Sequence, residues 1–188
     1  PNTLTAEGWS PLHIAAQNQL TDSVKFLLDT KRVSAKAGNN QGWTPLHMAA
    51  QKGDLDIMRL LLFDLREGAE EDLPQALEAV NVGGWNALHI AAHHGHSEQV
   101  QTLLDYGAFV DPLTPDKGWT PLHLSVDQGK SDTVQILVKN GSKIDQVDRH
   151  GRTLVHTAVQ RGHDKVLEFL MDLGLEMNWA DSDGWTPL

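Results

Sequence analysis

One short motif recurs six times along the 188 residues. GWSPLHIAA begins at Gly8, GWTPLHMAA at Gly42, GWNALHIAA at Gly84 and GWTPLHLSV at Gly118. A weaker GRTLVHTAV begins at Gly151, and a truncated GWTPL begins at Gly184. The starts lie 34, 42, 34, 33 and 33 residues apart. A regular period of this size is the signature of a stacked-repeat architecture. Each unit has one apolar face, is too small to bury it alone, and closes its core only against its neighbours. The length therefore counts units. Residues 1–188 are expected to form a single array, with repeats starting near 8, 42, 84, 118 and 151 and a partial repeat from 184.

Each recurring residue has a mechanical reason. Two positions after the glycine stands Ser10, Thr44, Asn86, Thr120, Thr153 or Thr186. All are good helix N-caps, whose side-chain oxygen accepts an orphan backbone N–H. Pro follows in four of the six units, suited to the first helical position, with Ala87 and Leu154 in the others. A short apolar helix then runs, as in Leu46 to Ala50, with small Ala pairs that let the next unit approach. A second glycine (Gly53, Gly95, Gly129, Gly162; Gln19 in the first unit) ends it. A second helix follows, with Val100, Leu103 and Leu104 at helical spacing in the third unit. Gly107, Gly141 and Gly174 close that helix.

The pattern G-x-T-P-L-H-x-A-A…G…LL…G, at a period near 33 over essentially the whole chain, resembles the ankyrin-repeat family. The resemblance implies an all-α solenoid of stacked helix–turn–helix units with projecting β-turn fingers. It also implies a concave surface of fingers and first helices that carries a protein partner. The expected function is non-catalytic: a cytoplasmic interaction module or scaffold that binds a protein or peptide. The alternative is a targeting segment of a larger enzyme, channel or secreted effector whose activity lies elsewhere.

By that pattern, the Trp after each first glycine sits at the finger base and faces the concave side. Trp43, Trp85 and Trp119 are the central members, and Arg152 interrupts the row. A spaced row of amphipathic aromatics suits a binding hot spot. The competing reading is that each indole packs on the neighbouring finger and stiffens the stack. At the end of the first helices, Gln51, Lys52, His93, His94 and Asp127 fall at exposed positions that typically touch partners. His13, His47, His89, His123 and His156 recur once per unit and are structural in the family. Stacked helices about 8–10 Å apart keep such a ladder from converging on one ion. His93, His94 and His96 form a denser HHGH cluster, read as a polar patch titrating near pH 6–7, with adventitious zinc or nickel as the alternative.

The second unit carries an insertion at about 63–82, rich in Asp and Glu, with Pro74 suggesting a helical turn and Asp72 a cap. It is either a functional rim or a tolerated surface loop. Residues 42–83 hold three basic and eight acidic groups, and residues 84–117 one and four, so these units carry most of the net charge of −10. That acidity would steer a basic partner, or simply keep the protein in solution. It disfavours nucleic acid. The chain has no cysteine, which excludes thiolate metal sites and a cysteine nucleophile and fits a reducing compartment. No run is long and apolar enough to span a bilayer.

No catalytic constellation, metal site or cofactor motif is found. Gly129-Lys130-Ser131 resembles the end of a phosphate-binding loop, but Leu124 stands where its first glycine belongs. Leu170, Glu176, Met177 and Asn178 weakly resemble the context of hydroxylated asparagines. Ordinary buried-type residues in the first unit, and a last unit that stops at Pro187-Leu188, suggest a piece of a longer array. A monomer is expected, with end-to-end association of exposed terminal repeats as the competing behaviour.

Overall fold

A computed structural model describes residues 4–187; residues 1–3 and Leu188, the outermost positions of the expected array, lie outside that range. Eleven α-helices and no strands occur among the described residues. The first helices of successive units are α1 (Pro11–Gln17), α3 (Pro45–Lys52), α6 (Ala87–His94), α8 (Pro121–Asp127) and α10 (Leu154–Arg161). The second helices are α2 (Thr21–Asp29), α4 (Leu55–Arg66), α7 (Ser97–Asp105), α9 (Ser131–Lys139) and α11 (Asp164–Asp172). The remaining helix, α5 (Asp72–Glu78), lies in the insertion. First helices pack side by side in one row, and second helices in a parallel outer row.

The start of each first helix is built as the sequence predicts. Ser10, Thr44, Asn86, Thr120 and Thr153 are N-caps in extended conformation, and each accepts from the backbone N–H of the histidine three residues on. The histidine side chain returns to the cap backbone, closing a capping box. In the first two units the cap N–H and hydroxyl both meet Nδ1, as with Thr44 and His47 at 3.1 and 2.7 Å. The ring proton then sits on Nε2, which donates to a backbone carbonyl of the next unit. His13 reaches Trp43 at 2.8 Å, and His47 reaches Trp85 at 3.0 Å. The ladder thus ties each unit onward through His13, His47, His89 and His156, whereas His123 Nε2 is buried without a hydrogen-bond partner among the described residues. Gly53 and Gly95 end α3 and α6 at φ 73° and 78°, a left-handed conformation that a Cβ would strain.

Leu12, Leu46, Leu88, Leu122 and Leu154 form a buried stripe along the first helices. Val24, Leu61, Leu62, Leu103, Leu137 and Leu170 meet it from the outer row, in one continuous core. Burying each such Leu contributes about 1.5–3 kcal/mol. The adjacent Ala pairs, such as Ala49–Ala50 and Ala91–Ala92, are fully buried, which is what close approach between first helices requires.

The insertion is more ordered than a surface loop. Helix α4 runs 12 residues against 9 in the other second helices, so it gains almost a turn. Helix α5 then folds against α4, burying Ala76 and Leu77. Asp72 does not cap it: Glu71 holds the N-cap position, and Asp72 Oδ2 accepts from Ala69 N at 3.2 Å. Two acids of this stretch are answered from the first unit. Lys31 pairs with Asp64 at 2.6 Å, and Lys36 pairs with Asp72. The Lys36 hydrogen bond holds the Asp72 carboxyl below its ordinary pKa.

Candidate functional site

Four of the fingers that flank the first helices are asparagine or aspartate turns, and threonines, Thr5 and Thr114, serve in the first and fourth. Asn39 Oδ1 accepts from Gln41 N and Trp43 N, at 2.9 and 3.0 Å. Asn81 does the same for Gly83 and Trp85, Asp148 for His150 and Arg152, and Asp181 for Asp183 and Trp185. This side-chain turn fixes the Trp that follows. Adjacent fingers are stitched by single backbone bonds: Asn40 N to Glu7 O, Val82 N to Gln41 O, Arg149 N to Lys117 O and Ser182 N to His150 O. Among the described residues the series skips the junction of the third and fourth fingers. There Pro115 stands over Gly84, as Asn40 stands over Gly8, and proline has no N–H to donate. One extra residue also lengthens this finger, so Trp119 N reaches back five residues to Thr114 Oγ1.

The indoles are not equivalent. Trp43 and Trp85 are half-buried. Trp43 sets its edge on His47 at 5.9 Å, and Trp85 lies 5.2 Å from His93. Trp119 is 5% exposed. Its Nε1 donates to Asp148 Oδ2 at 3.1 Å, and the Lys117 ammonium lies 4.1 Å from its ring centroid. Arg152 donates to that same Asp148 oxygen from Nε and Nη2, at 3.0 and 2.8 Å. The residue that interrupts the Trp row is therefore part of the support beneath its neighbour.

Asp127, expected at an exposed position, is buried instead. Arg161 Nε of the next unit donates to Oδ1 at 2.7 Å, and Gln128 Nε2 to Oδ2 at 2.8 Å. Gln51 is half-buried, while Lys52 and His94 are exposed. His93 is half-buried, and its Nδ1 has no hydrogen-bond partner among the described residues. Burial pushes both His93 and His94 below the ordinary histidine value, with Lys130 lowering both further and Asp127 raising His93. His94 also stacks on His96 at 5.7 Å. Among the described residues no three His, Asp or Glu side chains converge as a metal cage.

Two clefts open between successive indoles on this face. One of about 200 Å³ lies between Trp9 and Trp43, edged by Gln17, Gln41 and Gln51 over Met48. The other, about 120 Å³, lies between Trp85 and Trp119, with His93, Asp116, Lys117 and Asp127 at its walls. Gln41, Asp116, Lys117 and the Asx series were not singled out from sequence. The Asx series had a signal: Asn39, Asn81, Asp148 and Asp181 each stand three residues before a motif glycine. On the outer row, Phe26 and Phe63 are 68% and 53% exposed. Among the described residues no helix is long and apolar enough to cross a membrane.

Comparison with known proteins places this geometry. A family profile for ankyrin repeats in three copies matches residues 1–74 and 65–148, and a single ankyrin-repeat profile matches residues 150–182. The 26S proteasome non-ATPase regulatory subunit 10 of Rattus norvegicus is 40% identical over 42 residues, 22% of this chain and 18% of that protein. Protein phosphatase 1 regulatory subunit 12A of Mus musculus is 42% identical over 40 residues, 21% of this chain and 4% of that protein. Each match spans less than a fifth of the relative's own length. A crystal structure of the ankyrin repeat domain of Bcl-3, a member of the IkappaB family, superposes with a TM-score of 0.86 at 28% identity. That match covers 99% of this chain and 79% of the other.

Proposed function

Because the chain belongs to the ankyrin-repeat family, whose members are protein-interaction modules, we propose that it binds a protein or peptide partner on the face made by its fingers and first helices. The observation that carries this reading is the row of half-buried indoles at Trp9, Trp43 and Trp85, with Gln51, Lys52, His93 and His94 beside them. Asx turns hold the backbone at Trp43 and Trp85, and Thr5 holds it at Trp9, while the three indoles keep surface toward solvent. A rigid surface loses little conformational entropy on association. Trp119, Asp127 and Arg152 act in this reading as supports that fix the neighbouring contact residues. The chain itself performs no catalysis, and the cysteine-free composition suits work in the cytoplasm.

A second reading is favoured by the relatives' names. Both are regulatory subunits, so the array would recruit or place a partner within a larger assembly. Both readings use the same face. Affinity capture from native cells tests it by comparing wild type, Trp43→Ala/Trp85→Ala and the outer-row variant Phe26→Ser/Phe63→Ser. Partners lost with the indole variant and kept with the outer-row variant support the reading. The opposite pattern overturns it.

A further inference from the structure

The two indole clefts differ in chemistry, and the difference specifies a ligand. The Trp85–Trp119 cleft lies where Pro115 removes the bond between fingers and where the finger is one residue longer. Its aromatic wall already receives a cation: Lys117 places its ammonium over the Trp119 ring. Lys117 itself is exposed and is held by no salt bridge among the described residues, so it can swing away. The cleft also presents the carboxylate of Asp116, and His93 Nδ1 lies beside it without a partner. Burial lowers the pKa of that ring, and its Nδ1 is enclosed within the wall. A second carboxylate, Asp127, stands in the same wall and is paired with Arg161. The Trp9–Trp43 cleft contains no ionised group. Indoles and Met48 line it, and three glutamine amides edge it.

We propose that the concave face reads an extended segment with two anchors: a cationic side chain that replaces Lys117 in the Trp85–Trp119 cleft, and an apolar side chain in the Trp9–Trp43 cleft. This rests on the concave-face reading above and adds the chemistry of the partner. The spacing follows from the repeat. The clefts are two units apart, roughly 16–20 Å at the usual distance between packed helices. An extended chain advances about 3.3 Å per residue, so the anchors stand about five or six residues apart. The glutamines beside the first cleft are placed to meet the peptide backbone on either side of the apolar anchor.

The test uses the whole chain labelled with 5-fluorotryptophan, its six fluorine resonances assigned by single Trp→Phe variants. Nα-acetyl-arginine amide is expected to move the Trp85 and Trp119 signals, Nα-acetyl-leucine amide those of Trp9 and Trp43, and Nα-acetyl-glutamate amide neither pair. Lys117→Met is expected to strengthen the arginine response about threefold or more, because it frees the ring face and removes a competing charge. Gly/Ser peptides carrying one Leu and one Arg, in both orders and 3, 5, 7 or 11 residues apart, are expected to bind best near 5 and more weakly on either side. The proposal is overturned if arginine amide leaves Trp85 and Trp119 unmoved in both wild type and Lys117→Met. It is equally overturned if glutamate amide moves them more, or if peptide affinity ignores spacing. Should those results coincide with capture that still depends on Trp43 and Trp85, the anchor chemistry falls while the concave-face reading stands. If capture too is indifferent to these indoles, both fall.

Discussion

His47 donates from Nε2 to the backbone carbonyl of Trp85, 3.0 Å away and 38 residues further along the chain. The bond joins the capping box of one unit to the finger of the next, and because Nδ1 accepts from Thr44 N at 3.1 Å the ring is neutral with its proton on Nε2. Burial enforces that state. It lowers His47, His89 and His123 from 6.5 to about 4, against smaller opposing contributions from neighbouring carbonyls or carboxylates. In the unfolded chain these rings protonate near 6.5, so below that value the unfolded state binds more protons and stability falls. The loss runs at about 1.4 kcal/mol per pH unit for each ring, from near 6.5 down to about 4. Urea unfolding is expected to give a flat midpoint above pH 7 and a steep decline between pH 6 and 4.5. A midpoint unchanged across that window would show the rings are not held neutral.

Asn86 is the cap that does this task least well. A Thr or Ser hydroxyl accepts from the histidine N–H and donates to Nδ1, but a carboxamide oxygen only accepts. Asn86 Oδ1 accepts from His89 N at 3.0 Å and also faces Nδ1 at 2.8 Å, while Nε2 faces the Pro112 carbonyl at 3.1 Å. A neutral ring satisfies one of those oxygens and leaves the other nitrogen lone pair facing an oxygen. Asn86→Thr is therefore expected to stabilise the protein by about 1 kcal/mol. Calorimetry should show a rise of about 2–4 °C in Tm for a chain of this size; a fall would contradict the account.

The inserted helix is predicted to behave as part of the core. Leu77→Ala should cost about 2–4 kcal/mol, as truncation of a buried Leu does, with hydrogen exchange rising in α4 and α5. Asp64→Asn and Asp72→Asn remove exposed ion pairs and should each change stability by less than about 1 kcal/mol. Equal effects from the two classes would mean that the helix is not packed.

Trp85 and Trp119 should separate in their effects although they occupy the same motif position. Trp119→Ala removes a buried indole and its bond to Asp148, and should cost about 3–5 kcal/mol of stability. Trp85→Ala should cost clearly less in folding and more than about 1 kcal/mol in partner binding. Denaturation and binding measured on the same two variants check the split.

That split shows where sequence reading stops. Caps such as Thr44 and Thr120 are legible because their bonds span three residues within one motif. The fate of Trp119 depends on Asp148, 29 residues on, and on Arg152, whose departure from the Trp pattern looked like a gap in a surface. Asp127 reads as a surface position until Arg161 of the next unit folds over it. Pro74 announced a helical turn in the insertion, but the burial of Ala76 and Leu77 required knowing that α4 runs on to meet it. The five capping histidines are legible as part of each helix start, because their Nδ1 bonds return to a cap three residues back. The bonds by which His13, His47, His89 and His156 reach carbonyls further along the chain are a geometric fact that no spacing contains.

The central claim is that the Trp43–Trp85 face holds the partner. It is tested most directly by fluorine spectra of 5-fluorotryptophan-labelled protein, titrated with a partner purified through wild-type capture. The account predicts shifts or broadening at Trp43 and Trp85 with Trp179 unchanged. Movement of Trp179 alone, or of none of the six indoles at saturation, would contradict it.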